Sequence, residues 1–129
     1  LGQVQEDWLA EGLEASVEGG KTWQFLANQV VMANVKPPNL TQELSEEEVA
    51  SITNGYARQL VPFSQLGLPW NLDAWDGFPA ARERLYKAAK DAGARLITVT
   101  GDTHTAWANN LHSVSGELRG VEFGCTSVT

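Results

Sequence analysis

Apolar positions recur along this chain with two periods, and each period marks a different kind of element. From Gln3 to Ser16 the period is helical: Trp8, Leu9 and Leu13 share one stripe, and Glu6, Asp7, Glu11 and Glu14 occupy the rest. The acids near its start suit the positive end of the helix dipole, and Gly19-Gly20 breaks the pattern. A second helical stripe runs from Pro79 to Ala92. Ala81, Leu85, Ala88 and Ala89 form its packing side, with Arg82, Arg84, Lys87 and Lys90 mostly outside it. Pro79 suits a first turn and Gly93 a C-cap. The run Leu96-Ile97-Thr98-Val99-Thr100 is apolar and mostly β-branched, the composition of a strand buried on both faces of a parallel sheet. Two further strand regions are predicted over Thr22–Val35, where Asn28-Gln29 interrupts the apolar run, and over Leu118–Val128, after a tight turn at Ser115-Gly116. A helix, a glycine turn and a strand in succession make the second half of a crossover unit, so the class is α/β with strands interleaved with helices.

Between these elements the pattern weakens. Lys36-Pro37-Pro38-Asn39 ends the first unit. From Leu40 to Leu68 the stretch reads as an insertion or lid rather than core. Ser45 followed by Glu46, Glu47 and Glu48 resembles a helix start, with Val49, Ile52, Tyr56 and Leu60 as its apolar side and Gly55 as a weakness. The three glutamates form a solvated face. Leu68 to Pro79 has no period; Trp70, Trp75 and Phe78 are expected to pack down and hold it, with Asp73 and Asp76 as turn or cap residues.

The candidate chemistry sits just after the Leu96–Thr100 strand. Gly101 ends the strand, and Asp102 and His104 follow in the first turn beyond it. In an open α/β sheet, function collects outside the carboxyl ends of the strands. A carboxylate and an imidazole two residues apart there can turn toward one centre, as a hard oxygen and a neutral nitrogen donor for metal. The alternative is local: Asp102 as a turn residue, Thr103 and Thr105 capping a short helix over Ala106 to Leu111 within a helical turn read over Thr105–His112, and His104 bonded to backbone. His112 reads as a surface residue. Asn28 and Gln29 either satisfy neighbouring backbone or stand at a site edge after their strand.

Composition narrows the classes. At 129 residues and 43% hydrophobic the sequence suits one globular domain with a real core. A net charge of -7 disfavours nucleic acid or an anionic membrane as the main partner, and no apolar run has membrane-spanning length. The single cysteine, Cys125, excludes an internal disulfide, and its setting reads as a strand carrying a buried inert thiol.

The stretches LGQVQEDWLAEGLEAS, TWQFLANQVVMA, NLDAWDGFPAARERL, LITVTGDTHTAWANNL and GVEFGCTSVT together resemble the PhoD-like alkaline phosphatases and phosphodiesterases, in the family's order and over most of the chain. The resemblance is loose only across Leu40 to Leu68, a region that varies in the family. It implies a metallophosphoesterase-like α/β/β/α sandwich, a centre of iron with calcium, and hydrolysis of phosphate esters. It places metal-ligand roles on Asp102 and His104. With the site there, Trp107 and Asn109 are candidates to line its mouth and Asn28 its edge. The resemblance also implies export.

The family carries further ligands upstream of these stretches, including a cysteine and a tyrosine on iron, and nothing in this sequence matches them. The opening LGQVQEDWL reads as the interior of a longer chain, so the 129 residues are expected to be the C-terminal part of a PhoD-like catalytic domain. Two donors on one turn leave most coordination positions of a metal pair to water. A non-catalytic module that retains the fold's shape is the competing expectation. Strands deprived of partners predict self-association, through the Trp23–Met32 region or the terminal strand.

Overall fold

The computed structural model describes residues 2–126. The chain divides into two compact units, Leu1–Asn34 with Asp73–Thr129, and Val35–Leu72.

In the larger unit, α1 (Gln3–Glu18) leads into β1 (Gln24–Ala27). After a 3-10 turn at Trp75–Gly77 come α5 (Pro79–Asp91), β2 (Leu96–Thr100), β3 (Trp107–His112) and β4 (Leu118–Gly124). The four strands form one sheet in the order β1-β2-β4-β3. β1, β2 and β4 run parallel, and β3 lies antiparallel on the outside of β4. The class is α/β, as the sequence implies.

Alternation along each strand gives the sheet two unlike faces. Gln24, Leu96, Thr98, Thr100, Leu111 and Glu122 are buried on one face. Helices α1 and α5 lie on this face: Gln24 reaches Ser16 of α1 through its side-chain amide, and Leu85, Tyr86 and Ala89 of α5 are buried with it. The two helices are joined by Arg84, whose Nε and Nη2 both donate to the Glu6 carboxylate at 2.7 Å. The opposite face is bare. Phe25 is 68% exposed, Phe123 53% and Val99 38%, and Ile97 and Val121 between them are only half-buried. β2 is therefore covered on one face and not, as its composition suggests, on two. Nor is β4 an edge: it pairs on both sides, and the edges are β1 and β3.

Several expected elements are shorter or different. The Thr22–Val35 strand ends at Ala27. Val31, Met32 and Ala33 are apolar because they turn inward as a buried segment, not because they continue a ladder. The terminal strand stops at Gly124; Val128 lies outside the described residues. Cys125, read as buried, is an exposed free thiol just past the strand end. Within Thr105–His112, read as a helical turn, Trp107–His112 forms β3 instead, because pairing with β4 supplies the partners that a short isolated helix lacks. On α1, Leu13 is buried but Trp8 is 71% exposed. The Trp75 loop is held by Ala74 and Asp76, which are buried, whereas Phe78 is exposed.

The Val35–Leu72 unit holds three short helices: α2 (Leu40–Glu43), α3 (Glu46–Ser51) and α4 (Gly55–Ser64). Each begins at a capping side chain. Asn39 accepts from Thr41, Asn54 accepts from Tyr56 and Ala57, and Ser45 forms a reciprocal capping box with Glu48. The predicted single helix from Ser45 is thus two helices, divided where Asn54 starts a new one. Ser64 Oγ accepts from the Leu40 amide and donates to the Val61 carbonyl, and the Trp70 amide donates to the Val35 carbonyl at 2.8 Å.

Candidate functional site

Parallel pairing brings the carboxyl ends of β1, β2 and β4 to one edge of the sheet, and backbone bonds tie the segments that leave them. The Asn28 amide donates to the Val99 carbonyl at 2.9 Å, the Gly101 amide to Gln29 at 3.3 Å, and the Cys125 amide to Thr100 at 3.1 Å. The turn carrying Asp102 and His104 emerges from this junction.

The turn has an unusual backbone. Asp102 and His104 are the two non-glycine residues with positive φ among the described residues, at 62° and 54°. Asp and His are among the side chains that tolerate this region best, yet it remains uncommon for them. The Thr103 amide donates to the Gly101 carbonyl at 2.7 Å. An i to i+2 bond across a residue with φ near +62° is the γ-turn of the rare, strained hand. Such strain persists only where the surroundings over-determine it, and each residue so held costs of order 1–3 kcal/mol.

The side chains at this cost are exposed. Neither the Asp102 carboxylate nor the His104 imidazole takes part in a hydrogen bond or ion pair among the described residues. Of the local alternative, Asp102 does sit at the centre of a turn, but Thr103 and Thr105 cap no helix, because the chain after the turn is a strand, and among the described residues His104 makes no hydrogen bond to backbone.

Asn28 lies at the β1 end of the junction, where its side-chain amide donates to the Val30 carbonyl, satisfying neighbouring backbone. Trp107 begins β3 opposite Gly124. Asn109, two residues farther along, is turned to the interior, where it donates to Glu122 at 2.9 Å. His112 is exposed at the far end of β3.

Two buried polar groups that sequence reasoning did not single out fix the segment following β1. Glu122, fully buried, accepts from the Met32 amide at 2.6 Å and the Ala33 amide at 3.1 Å. Arg82, expected outside the packing stripe of its helix, is buried; it donates to the Met32 carbonyl at 3.0 Å and pairs with Asp76 at 2.7 Å. Asp76, expected as a cap residue, also accepts from Asn34. A lone acid between apolar residues in VEFG was the available signal for Glu122, since a buried charge requires partners.

Oxygen from Asp102 and nitrogen from His104 suit a metal ion as part of a donor set, and among the described residues no side chain or backbone group is bonded to either. They do not complete one: among the described residues no group of three or more His, Cys, Asp or Glu side chains is placed to hold an ion. A carboxylate suits calcium or iron, and an imidazole suits iron rather than calcium.

Comparison with known proteins points the same way as the sequence motifs. The model of one protein family, PhoD-like phosphatase, matches residues 1–129. The chain is 30% identical over 134 aligned positions to alkaline phosphatase D of Bacillus subtilis (strain 168), a match covering all of this chain and 18% of that protein. No solved structure matches.

Proposed function

The chain belongs to the PhoD-like phosphatase family, and from that premise we propose that it forms the C-terminal part of a metal-dependent catalytic domain that hydrolyses phosphate esters. One observation carries this reading. A carboxylate and an imidazole, each on strained backbone, stand exposed and, among the described residues, without a bonding partner at the end of a central parallel strand. A turn of ordinary structural purpose has no need of that strain.

In this reading Asp102 supplies an oxygen donor and His104 a nitrogen donor, with iron and calcium as the ions. Ions bound there would neutralise charge on the phosphoryl oxygens and stabilise an in-line displacement. This chain's own residues do the holding. The junction of β1, β2 and β4 fixes where the turn leaves the sheet, and the strained backbone fixes where its two side chains point. Asn28 and Trp107 border the same edge. The chain spans 18% of the length of the relative it matches, and further donors would come from elsewhere in the complete protein. The bare face of Phe25, Val99 and Phe123 is then the seam at which a second sheet completes a sandwich. The Val35–Leu72 unit acts as an insertion or lid, and export of the complete protein follows the family resemblance.

The want of a third donor among the described residues favours a second reading for these residues by themselves, a non-catalytic module of the same shape. Phosphate release separates the two. The complete protein, supplied with iron and calcium, should hydrolyse a nitrophenyl phosphate mono- or diester, and Asp102→Ala and His104→Ala should each lower the rate at least 100-fold, as removal of a donor to a charge-stabilising centre does. Unchanged rates in both variants would leave the module as the answer.

A further inference from the structure

The strained turn needs something to hold it, and backbone bonds fix only its base. Among the described residues, side-chain bonds from β3 reach the turn beyond Gly101. The Trp107 indole N–H is shared between the Thr105 hydroxyl at 2.8 Å and the Thr103 hydroxyl at 3.2 Å. The Thr105 hydroxyl in turn donates to the Thr103 carbonyl at 3.2 Å. These two threonines flank His104, and Thr103 separates it from Asp102, so the indole is bonded to both neighbours of one candidate donor and to one neighbour of the other.

The indole itself is fixed by its seat. Trp107 opposes Gly124 in the β3–β4 register. A Cβ at position 124 would stand 3.1 Å from Trp107 Cδ1, 3.2 Å from Trp107 Cβ and 2.9 Å from Thr100 Oγ1. The ring therefore occupies the space that a side chain on β4 would take, and a larger residue at position 124 would have to displace the ring or the Thr100 side chain. A chain of contacts runs from an inner strand of the sheet to the turn: β4 at Gly124, the Trp107 ring, the two hydroxyls, then Asp102 and His104.

We propose that Trp107 is a positioning residue for the Asp102/His104 pair, holding the turn in its strained form by gripping Thr103 and Thr105 from a socket made by Gly124. The inference rests on the metal-site reading and deepens it. Trp107 touches neither substrate nor metal in this account; it acts through the two hydroxyls. Two donors already held in place bind an ion without the loss of freedom that a relaxed turn would suffer, and neighbours that orient a metal ligand typically alter affinity by about 10–100-fold.

The test uses the complete protein and compares metal affinity, by competition with a chelator, with thermal stability and with the separate values of kcat and KM. Trp107→Phe keeps an aromatic ring over Gly124 and loses the N–H. Thr105→Val keeps the exposed side chain's shape and loses the hydroxyl. Each is expected to weaken metal binding about 10-fold or more, with KM and the melting temperature little changed, and Thr105→Ser is expected to restore parental affinity. Should Trp107→Phe fail to fold, Thr105→Val and Thr105→Ser carry the test by themselves. Parental affinity in Trp107→Phe and Thr105→Val, alongside loss of metal in Asp102→Ala and His104→Ala, would overturn the positioning role and leave the metal site standing. Full metal occupancy in Asp102→Ala and His104→Ala would overturn the site reading and this inference with it.

Discussion

A carboxylate with no solvent contact is tolerated only where its lone pairs are met, and Glu122 meets that condition with two backbone amides and the Asn109 amide. Replacing it with alanine strands two buried backbone donors and the part-buried Asn109 amide. Glu122→Ala should therefore destabilise the fold by roughly 2–4 kcal/mol, read as a lowered urea midpoint, and should loosen the segment that follows β1. The residue was visible in the sequence as an acid inside an apolar strand, but its partners were not, because Met32 and Ala33 lie about ninety positions away. The position of Asp102 and His104, in a turn just past β2, was legible for the opposite reason. Their placement depends on a local event, a glycine ending a β-branched run, and the general rule for strand ends in α/β sheets supplied the rest. What the sequence could not convey was the positive φ at both, which only the bonds around the turn reveal. Arg82 and Asp76 were misjudged together: each taken singly is an ordinary helix-face cation and an ordinary cap, and only their pairing buries them.

Elements with a strong local period, α1, α5 and β2, were legible almost to the residue, whereas β3 was not. Trp107-Ala108-Asn109-Asn110-Leu111-His112 lacks β-branched residues, and its strand conformation comes from β4. Close approach between elements is the other feature hidden from pattern. A Cβ at Gly120 would meet the Leu96 carbonyl oxygen at 2.6 Å and Leu96 Cβ at 3.1 Å. Gly120→Ala should force β2 and β4 apart and cost about 1–3 kcal/mol, measured by thermal melting. The contact between α1 and α5 carries a pH signature. Hydrogen bonding to Arg84, reinforced by its charge, holds the Glu6 carboxyl below its ordinary value of 4.5. A depressed carboxyl contributes stability that is complete above that ordinary value and is lost as pH falls through the lowered one. The stability difference between the parent and Glu6→Gln should accordingly shrink on acidification below about pH 4.5, followed by denaturant unfolding at a series of pH values.

For the whole molecule the governing feature is asymmetry: one face of the sheet lies under helices, and the other displays Phe25, Val99 and Phe123. A contiguous apolar sheet face is a surface that soluble monomers rarely leave open. The 129 residues alone should associate and bind a hydrophobic dye, with Phe123→Ser lowering both, as light scattering and fluorescence would report. A strictly monomeric chain with no dye binding would mean that the face is not a seam. That face and the incomplete donor set have one physical origin in this account, a centre assembled from two sides of a sandwich of which these residues form one. What is decisive is whether the Asp102/His104 turn holds metal. Elemental analysis of the purified complete protein tests this most directly, comparing the parent with Asp102→Asn, His104→Gln and, as a control on the same sheet, His112→Gln. The expected result is bound iron and calcium in the parent and in His112→Gln, with metal lost from the two turn variants. Equal metal content in all four proteins would contradict it.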